Sequence, residues 1–385
     1  MLSLEKLFYI KKENTYTIYK FLGITIKTSG FIDFLQVINF QKNITKDKTI
    51  LIIEPNKCHY ETILGYYKYL KDLGFNVEVL TLGKSGNIFL NSTLDIKAWE
   101  CNKKTFDFIF KYANFKKYYC LLFNSKRVYW GKCLNSTDGC DITDCYKKIP
   151  KGQIENIYVQ HHIDFWNDCK KEKQIALANP TKADDLKKCI VNPHYFGDVK
   201  ITEKNRKKIK FITVGGLGKE RRNANLLINA VKELHNNNIS NFEIIVISSD
   251  KLENLPTEIC RYFKFLGKVD FPTLFRAMED ADYFLPLLDP EVKQHQRYIK
   301  HGTSGSFQLI YGFLKPCIIH KTFADIYGFS EEDSFVYDKN SDLYKCMLNA
   351  IDLTQKEYTT KQSYLKQIVK NINEISLKNL EILAR

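Results

Sequence analysis

The spacing of apolar and polar positions divides the chain into two cycles of alternating strands and helices. The first cycle opens with the apolar run TILIIEP at 49–55, which is typical of a parallel strand buried on both faces. The helix YETILGYYKYLKDLG follows, with Ile63, Tyr67 and Leu70 at helical spacing and Gly74 at the position of a C-terminal cap. FNVEVLTL predicts the next strand, and weaker strand patterns recur at FDFIF, YYCLLF and NIYVQ.

The second cycle begins with the strand KIKFITV at 208–214 and continues with the helix NLLINAVKELH. FEIIVIS and KFLGKV predict strands, and the helix PTLFRAMEDA starts at Pro272, a residue favoured in the first helical turn. The apolar run DYFLPLL follows. A helix after a small-residue loop and then the strand KPCII complete this cycle. A C-terminal helical region closes the chain, with an apolar face of Leu365, Ile368, Val369 and Ile372.

The alternation occurs twice, with a break in the pattern near 192–206. We therefore expect an α/β protein with two doubly wound domains. The predicted units are a small N-terminal β arm (1–45), a first domain (46–195), a second domain (196–355) and a C-terminal helical segment (356–385). Ligands of doubly wound sheets bind beyond the carboxyl ends of the strands, which places the site in the cleft between the domains.

Length and composition describe a soluble globular protein, since 385 residues allow two cores and the chain is 44% hydrophobic and 26% charged. No apolar run reaches the roughly 18 residues of a membrane span. The N-terminus is interrupted by Lys and Glu too often for a signal peptide. Eleven cysteines without regular spacing predict reduced thiols and a cytosolic location.

The net charge of +14 allows a nucleic acid or an anionic membrane as partner. Against this, Lys, Asn, Ile, Tyr and Phe are abundant throughout, which indicates a compositional bias of the whole chain. Lysine pairs are scattered rather than gathered into one stripe, and no nucleic-acid motif is present. We therefore expect no nucleic-acid partner, and a basic binding protein remains an alternative.

The loop after KIKFITV joins glycines to cations: Gly216, Lys219, Arg221 and Arg222. Arg221 stands where a dinucleotide fingerprint needs its third glycine, and the Walker pattern is absent. Glycines let the main chain approach a phosphate and the cations neutralise its charge, so this loop is a candidate diphosphate site. The alternative is a solvated turn with basic surface residues.

A second candidate anion site precedes a helix and consists of Thr303, Ser304, Gly305 and Ser306. Backbone and first-turn N–H groups of such a segment bind anions. The alternative is ordinary capping by Ser304 or Ser306. Upstream, Arg297 is placed to meet phosphate and Tyr298 to meet a ring, while Gly267 follows a strand and is placed to edge a base pocket.

Two anion loops on one domain imply a diphosphate. FITVGGLGKERRNANLLINAV, FKFLGKVDFPTLFRAMEDADYFLPLL and TSGSFQLIYGFLKPCII resemble the donor half of GT-B fold glycosyltransferases. The resemblance implies two Rossmann-like domains facing each other across a cleft, and a nucleotide sugar as donor. Many retaining members carry two glutamates eight positions apart; Lys300 and Gln308 stand there, so the stereochemistry stays open and Gln308 is expected at the ribose.

In the first domain, CHYETILGYYKYLKDLGFNVEVL is similar to the opening of bacterial glycosyltransferases that build surface polysaccharides, where a His-x-Glu pair lies at the acceptor side. The resemblance implies Glu61, or else His59, as general base if the enzyme inverts configuration. The alternative is that Glu61 complements the helix dipole and His59 caps. His161 and His162 end another strand and are expected at the phosphate or the transferred sugar, with a packing pair as the alternative.

The expected protein is a metal-independent glycosyltransferase without a cofactor other than its donor. Asp280 and Asp282 suit the end of a helix better than a metal site. The expected acceptor is a saccharide, such as a lipid-linked glycan of lipopolysaccharide or capsule biosynthesis, met at the inner face of the cytoplasmic membrane. Rivals are a nucleotide-sugar epimerase on the same fold and a nicotinamide-dependent dehydrogenase, which the failed glycine fingerprint disfavours.

Overall fold

The computed structural model describes residues 8–13, 16–21, 24–28, 40, 48–91, 94–129, 139–149, 154–161, 173–177, 189–204, 207–218, 221–250, 252, 255–300 and 302–385. Three antiparallel strands form the N-terminal arm: β1 (Phe8–Glu13), β2 (Tyr16–Phe21) and β3 (Ile24–Thr28). β2 pairs with both neighbours. The arm is therefore a three-stranded meander, one strand more than the two apolar runs predict.

The first sheet is parallel, and its strands are β4 (Thr49–Glu54), β5 (Asn76–Leu82), β6 (Lys97–Cys101), β7 (Cys120–Phe123), β10 (Glu155–Gln160) and β11 (Lys173–Ala176). A short ribbon of β8 (Arg127–Val128) and β9 (Cys140–Asp141) lies beside it. Its helices are α1 (Ile63–Asp72), α2 (Lys103–Tyr112) and α3 (Ile142–Cys145). The spatial order is β6-β5-β4-β7-β10-β11, the Rossmann order, which reverses between β4 and β7.

The second sheet repeats this order. Its strands are β12 (Ile209–Val214), β13 (Phe242–Ile247), β14 (Phe263–Phe265) and β15 (Tyr283–Phe284), arranged β14-β13-β12-β15. β16 (Ile318–His320) and β17 (Phe335–Tyr337) form a parallel pair, which a bridge from Phe284 to Cys317 joins to β15. Its helices are α4 (Ala224–Asn236), α5 (Phe271–Asp280), α6 (Gln296–Lys300), α7 (Gly305–Phe313), α8 (Lys321–Tyr327), α9 (Leu343–Asp352) and α10 (Gln355–Ala384).

Two predictions about the first cycle are wrong. FDFIF forms part of helix α2 rather than a strand, because Phe106, Ile109 and Phe110 recur at helical spacing, are buried on one face, and follow the cap of Asn102. The strand β6 was not expected, since it lies at the sheet edge and its residues before Cys101 are partly exposed.

The cysteines were expected to be reduced thiols, and one described cysteine is not. Eight described cysteines are free thiols, but Cys140 is disulfide-bonded. The prediction that all thiols are reduced is therefore wrong for Cys140. Among the described helices, none is both long and apolar enough to cross a membrane.

A linker beginning at Asn192 joins the two sheets, and three helices form hydrogen bonds to it. The Tyr69 hydroxyl of α1 donates to the Asn192 carbonyl at 2.9 Å, and Gln308 of α7 donates to the Asn192 side chain at 3.1 Å. The Asn192 N–H donates to Ser376 of α10 at 3.0 Å. The final helix also donates from Asn379 to the carbonyl of Ile190. The C-terminal helix therefore returns to the first sheet and ties both halves to the linker.

Two glycines let the helices approach this linker. A Cβ at Gly65 of α1 would lie 2.4 Å from the Cα of Pro193, and a Cβ at Gly312 of α7 would lie 2.4 Å from the carbonyl of His194. Neither position has room for a side chain, because a backbone atom of the linker lies within 2.4 Å in each case and cannot move aside as a flexible side chain can. The relative position of the two sheets is thus fixed by close helix–linker packing.

Candidate functional site

The candidate site lies where the strand order of each sheet reverses, at β4 and β7 in the first sheet and at β12 and β15 in the second. Loops diverge to opposite faces at such points and leave a crevice for ligands. The two crevices open onto one cavity of about 470 Å³, which we call the main cleft. It is lined by Glu61 from the first half of the chain and by Arg222 and Ser306 from the second.

A fully buried carboxyl, Glu54, organises the first-sheet side of the site at the end of β4. One oxygen accepts from the Asn56 N–H at 2.7 Å. The other accepts from the Asn124 amide at 2.6 Å and from the Ser125 hydroxyl at 2.9 Å. Burial raises the pKa of Glu54 to about 7, although the charge of His59 and the three hydrogen bonds act in the opposite direction.

The same network holds His59 in a left-handed conformation, with φ of 62°. The His59 carbonyl accepts from the Asn124 amide at 2.9 Å and from the Thr62 hydroxyl at 2.8 Å. A non-glycine residue in this region costs on the order of 1–3 kcal/mol, and it persists because the surroundings impose it. The His59 ring stacks on that of His161, with centroids 4.0 Å apart. His161 is itself anchored at 2.8 Å to the carbonyl of Asn124.

His59 and Glu61 form an ion pair at the mouth of helix α1, with Nδ1 and Oε1 3.6 Å apart. Burial lowers the pKa of His59, but its interactions with Cys58 and Glu61 outweigh burial and hold that pKa well above the usual value. Burial raises the pKa of Glu61, but the hydrogen bond and positive charge of His59 outweigh it and lower that pKa. At neutral pH the pair is therefore an imidazolium and a carboxylate.

On the opposite side of the main cleft lies the buried guanidinium of Arg222, which is only 8% exposed. Its Nη2 donates to the Ser306 hydroxyl at 2.8 Å, and its Nε is buried with no hydrogen-bond partner among the described residues. Burial lowers the pKa of Arg222 to about 10, so the group stays charged at neutral pH. Gly215 makes room for it, since a Cβ there would lie 2.7 Å from Nη1 at a φ of +107°.

The first turn of helix α7 opens into the cleft beside this arginine. Ser304 caps the helix, and its hydroxyl accepts from the Ser306 N–H at 3.3 Å. A Cβ on Gly305 would meet nothing within 4 Å, although Gly305 lines the main cleft. Capping and anion binding are therefore compatible here, because the cap uses one hydroxyl and leaves the space before the first turn open.

The glycine loop contributes side chains rather than free backbone N–H groups. Asp250 accepts from the N–H of Leu217 at 2.8 Å and from that of Gly218 at 3.3 Å. These hydrogen bonds lower the pKa of Asp250, so its carboxylate is ionised. A Cβ at Gly216 would lie 3.1 Å from the same carboxylate. With Asp250 in this position, the cations of the loop, Arg221 and Arg222, are its means of holding a phosphate.

The remaining predicted residues are divided between cleft, interior and undescribed segments. Gly267, at φ +70°, and Gly216 line an extension of the main cleft, where a base is expected. Tyr298 lines the main cleft and a smaller cavity beside it. Gln308 is 2% exposed and donates to Asn192, so the structure places it under the cleft rather than on its lining. Lys219 and His162 lie outside the described residues.

The smaller cavity, called the side pocket here, lies between the two halves of the chain. Its lining includes His59 and His161 together with the cations Arg127, Arg221 and Arg297. Thr303 also lines it. Sequence reasoning missed Glu54, Asn124, Ser125 and Arg127. Asn124 and Ser125 had a signal, since they directly follow the apolar strand CLLF, whereas Arg127 lies on a two-residue strand that no pattern marks.

Asp280 and Asp282 both contact Lys210, the first through its ammonium group and the second through its backbone N–H. The Lys210 ammonium contacts the Asp280 carboxylate at 2.7 Å, and the Lys210 N–H donates to Asp282 at 2.7 Å. Asp282 is 2% exposed. These two aspartates tie the end of α5 to β12, a structural role.

No protein-family model matches this chain, and no curated protein matches its sequence. Solved structures match it over most of its length. HepE of Anabaena in complex with UDP and glucose is 12% identical with a TM-score of 0.54, covering 87% of this chain and 98% of that chain. A glycosyltransferase from Rickettsia africae is 13% identical with a TM-score of 0.52, covering 88% and 98%. An alpha-glucosyltransferase in complex with UDP and a 13-mer DNA is 13% identical with a TM-score of 0.53, covering 83% and 95%.

At such low identity the likeness shows the fold. The chain has the GT-B fold, with two Rossmann-like domains on either side of a cleft, as the sequence predicts. The first sheet and its helices form the first domain, and the second sheet with its helices forms the second.

Proposed function

We propose that this protein is a glycosyltransferase that moves a sugar from a nucleoside-diphosphate sugar to a saccharide acceptor. The observation that carries the proposal is the buried Arg222 guanidinium at the N-terminus of helix α7, in a cleft that Glu61 also lines. A fixed cation beside a helix N-terminus, whose dipole favours negative charge, is an environment that stabilises a diphosphate. A carboxylate lining the same cleft supplies a base for the acceptor hydroxyl.

The diphosphate leaving group is assigned to Arg221, Arg222 and the first turn of α7, residues 304–306. As the glycosidic bond breaks, negative charge grows on the diphosphate, and these preorganised groups stabilise it. Because the cations are supplied by side chains, we propose that no metal ion is needed. For the domains we propose the ranges 46–195 and 196–355, with the boundary inside the linker that begins at Asn192.

The charge state of the ion pair favours Glu61 over His59 as the base of an inverting reaction. An imidazolium has no free lone pair, whereas the Glu61 carboxylate is ionised at neutral pH and can accept the proton of the attacking hydroxyl. His59 then orients Glu61 and holds its charge. If the enzyme retains configuration, the same pair is assigned to acceptor binding.

The donor and the acceptor are both proposals, and they rest on different kinds of support. HepE was solved in complex with UDP-glucose, which supports a uridine nucleotide as the first donor to test. A cell-surface glycan is proposed as acceptor, reached at the inner face of the cytoplasmic membrane. The charge of +14 is compatible with contact with an anionic membrane surface. The cytosolic side of that membrane is proposed from the eight free thiols, against which the disulfide of Cys140 stands.

The proposal is tested by a thermal-shift panel of UDP, GDP, CMP, ADP, NAD and short oligonucleotides. A ligand at about 100 times its dissociation constant adds about 2.7 kcal/mol of stability, which a thermal shift detects. We expect a shift with one nucleoside diphosphate. Arg222→Met should weaken that binding about ten- to a hundredfold, since it removes charge-assisted hydrogen bonds worth about 1.5–3 kcal/mol.

Two further variants separate binding from folding. Gly305→Asp places a carboxylate in open space at the first turn of α7, where it favours the helix but repels a diphosphate. It should keep the melting temperature of the free protein and lose the nucleotide shift. Arg261→Met is the control, because Arg261 is exposed and lies outside the cleft lining. Unchanged nucleotide affinity in both Arg222→Met and Gly305→Asp would refute the placement of the diphosphate.

The rivals predict other outcomes. A nucleotide-sugar epimerase on this fold would convert the donor without any acceptor. A basic binding protein would ignore nucleoside diphosphates and bind oligonucleotides or anionic vesicles with a steep loss of affinity as salt rises. A shift with NAD alone would favour a dehydrogenase.

A further inference from the structure

The side pocket has a charge that the diphosphate does not explain. Its described lining includes Arg127, Arg221 and Arg297 and the imidazolium of His59, and no aspartate or glutamate of the described residues lines it. Guanidinium groups stay protonated in proteins, so this wall is positive at any physiological pH. Arg127 and Arg297 do not line the main cleft, where the diphosphate is placed.

Arg297 is held in one orientation by its neighbour. Its Nη2 donates to the Tyr298 hydroxyl at 2.5 Å, and the guanidinium carbon lies 4.6 Å from the Tyr298 ring centroid. Arg297 forms no ion pair with a carboxylate in the part of the chain that the structure describes, and its Nε is buried without a hydrogen-bond partner there. Arg221, by contrast, lies close enough to Asp250 for its charge to lower the pKa of that carboxyl. A stacked guanidinium without a carboxylate partner is a preorganised donor for an anion, because ordering it costs little on binding.

The position of the pocket points to the reacting end of a substrate. Arg221 and Tyr298 line both the side pocket and the main cleft, so the two cavities are adjacent. The wall opposite these residues comes from the first domain, with His59, Ser125 and His161. A group bound here therefore lies beside the diphosphate and next to the His59–Glu61 pair.

We propose that the side pocket binds a saccharide that carries an anionic group, a carboxylate or a phosphate. The inference deepens the proposed function and rests on it: the charged saccharide is either the acceptor or the transferred sugar. A neutral hexose would leave the Arg297 guanidinium without a counter-charge among the described residues, whereas a carboxylate or phosphate pairs with it. Sugars of this class include uronic acids and sugar phosphates.

The test has two arms, each with a neutral partner of matched shape. In the acceptor arm, the protein is saturated with UDP, and glucuronate, glucose 6-phosphate, glucuronamide and glucose are compared by ligand-observed NMR. In the donor arm, UDP-glucuronate is compared with UDP-glucose by calorimetry. In one arm we expect the anionic compound to bind at least about tenfold more tightly than its neutral partner, the size of one charge-assisted hydrogen bond.

The variant Arg297→Gln should remove this preference and leave UDP affinity unchanged. Arg261→Gln is its matched control. Arg261 also donates from Nη2 to the hydroxyl of the next residue, Tyr262, and lies 5.0 Å from that ring, but it is not among the residues that line the pocket. If the anionic compound binds more tightly in the acceptor arm, the charged saccharide is the acceptor. If it binds more tightly in the donor arm, the charged saccharide is the transferred sugar. The proposal is overturned if neither arm shows a preference, if Arg297→Gln keeps it, or if UDP displaces glucuronate.

These outcomes are separate from a failure of the proposed function. If UDP and the other nucleoside diphosphates do not bind, the glycosyltransferase proposal fails. If a nucleoside diphosphate binds with Arg222 dependence and neither arm discriminates charge, the glycosyltransferase proposal stands and the anionic saccharide is excluded.

Discussion

Replacing Glu54 by glutamine should change how the stability of the protein depends on pH. Glu54 is fully buried, and burial raises its pKa from 4.5 to about 7. In the unfolded chain the carboxyl loses its proton near the lower value, and in the folded protein it keeps the proton up to the higher value. Between these values the folded state binds more protons than the unfolded state, so raising the pH lowers the free energy of unfolding.

The magnitude follows from the shift. A difference of about 2.5 pKa units, at about 1.36 kcal/mol per unit, is worth about 3 kcal/mol. This stability is present below the unfolded pKa and is lost as the pH rises through the folded pKa. Glutamine has no charge, so Glu54→Gln should lack this term and gain about 3 kcal/mol relative to the wild type between about pH 4.5 and pH 8.

The amide differs from the protonated carboxyl in one hydrogen bond. Three donors converge on Glu54, from Asn56, Asn124 and Ser125. The glutamine oxygen accepts at one position, but its NH₂ group only donates, whereas the hydroxyl oxygen of the neutral acid still accepts. The variant should therefore be less stable than the wild type at low pH by about 1–3 kcal/mol, a cost that does not change with pH.

The assay is urea unfolding of both proteins from about pH 5 to about pH 8, with the difference in unfolding free energy plotted against pH. Titrating groups that do not interact with Glu54 cancel in that difference, and His59, whose charge acts on Glu54, does not. The expected curve rises in favour of the variant by about 3 kcal/mol. A flat difference, within about 0.5 kcal/mol, would show that Glu54 titrates alike in both states and would refute the reasoning.

Two further predictions concern the linker and the base. Gly312→Ala should cost about 1–3 kcal/mol of stability by urea unfolding, because its Cβ would overlap the carbonyl of His194; Gly305→Ala, whose Cβ meets open space, is the control, and equal stability of the two variants would contradict the packing argument. Glu61→Gln should lower the rate of sugar transfer about a hundredfold or more while the donor affinity measured by calorimetry stays unchanged; a fully active variant removes Glu61 from the mechanism.

The strands that set the fold were predictable because they are buried on both faces. β4, β5, β12 and β13 appear in the sequence as continuous apolar runs, and their alternation with helices leads directly to two doubly wound sheets. The errors lie at the margins of the sheets. β6 is an edge strand with exposed residues, and α2 presents enough aromatic residues in a short run to look like a strand.

The site was predictable where the signal is local. The small-residue loop at 303–306 and the cations after β12 are contiguous in sequence, and the structure brings Arg222 and Ser306 into contact. The roles of Glu54 and Asp250 were not predictable, because each depends on partners from other loops. Asp250, for example, accepts hydrogen bonds from N–H groups 33 and 32 residues away, in the loop where glycines were expected to let the main chain approach a phosphate.

Gln308 has a structural contact that spacing alone does not reveal. Its distance of eight positions from Lys300 assigned it to a ribose, yet it lies one helical turn beyond Ser304, and its amide donates to Asn192, 116 residues earlier in the chain. Helix α7 therefore carries the proposed diphosphate contacts at its first turn. It also contacts the interdomain linker, through the hydrogen bond of Gln308 and the close packing at Gly312. Because the helix is one rigid element, the contacts that hold the linker also fix where its N-terminus stands in the cleft. That coupling follows from tertiary packing, and no spacing within the helix could reveal it.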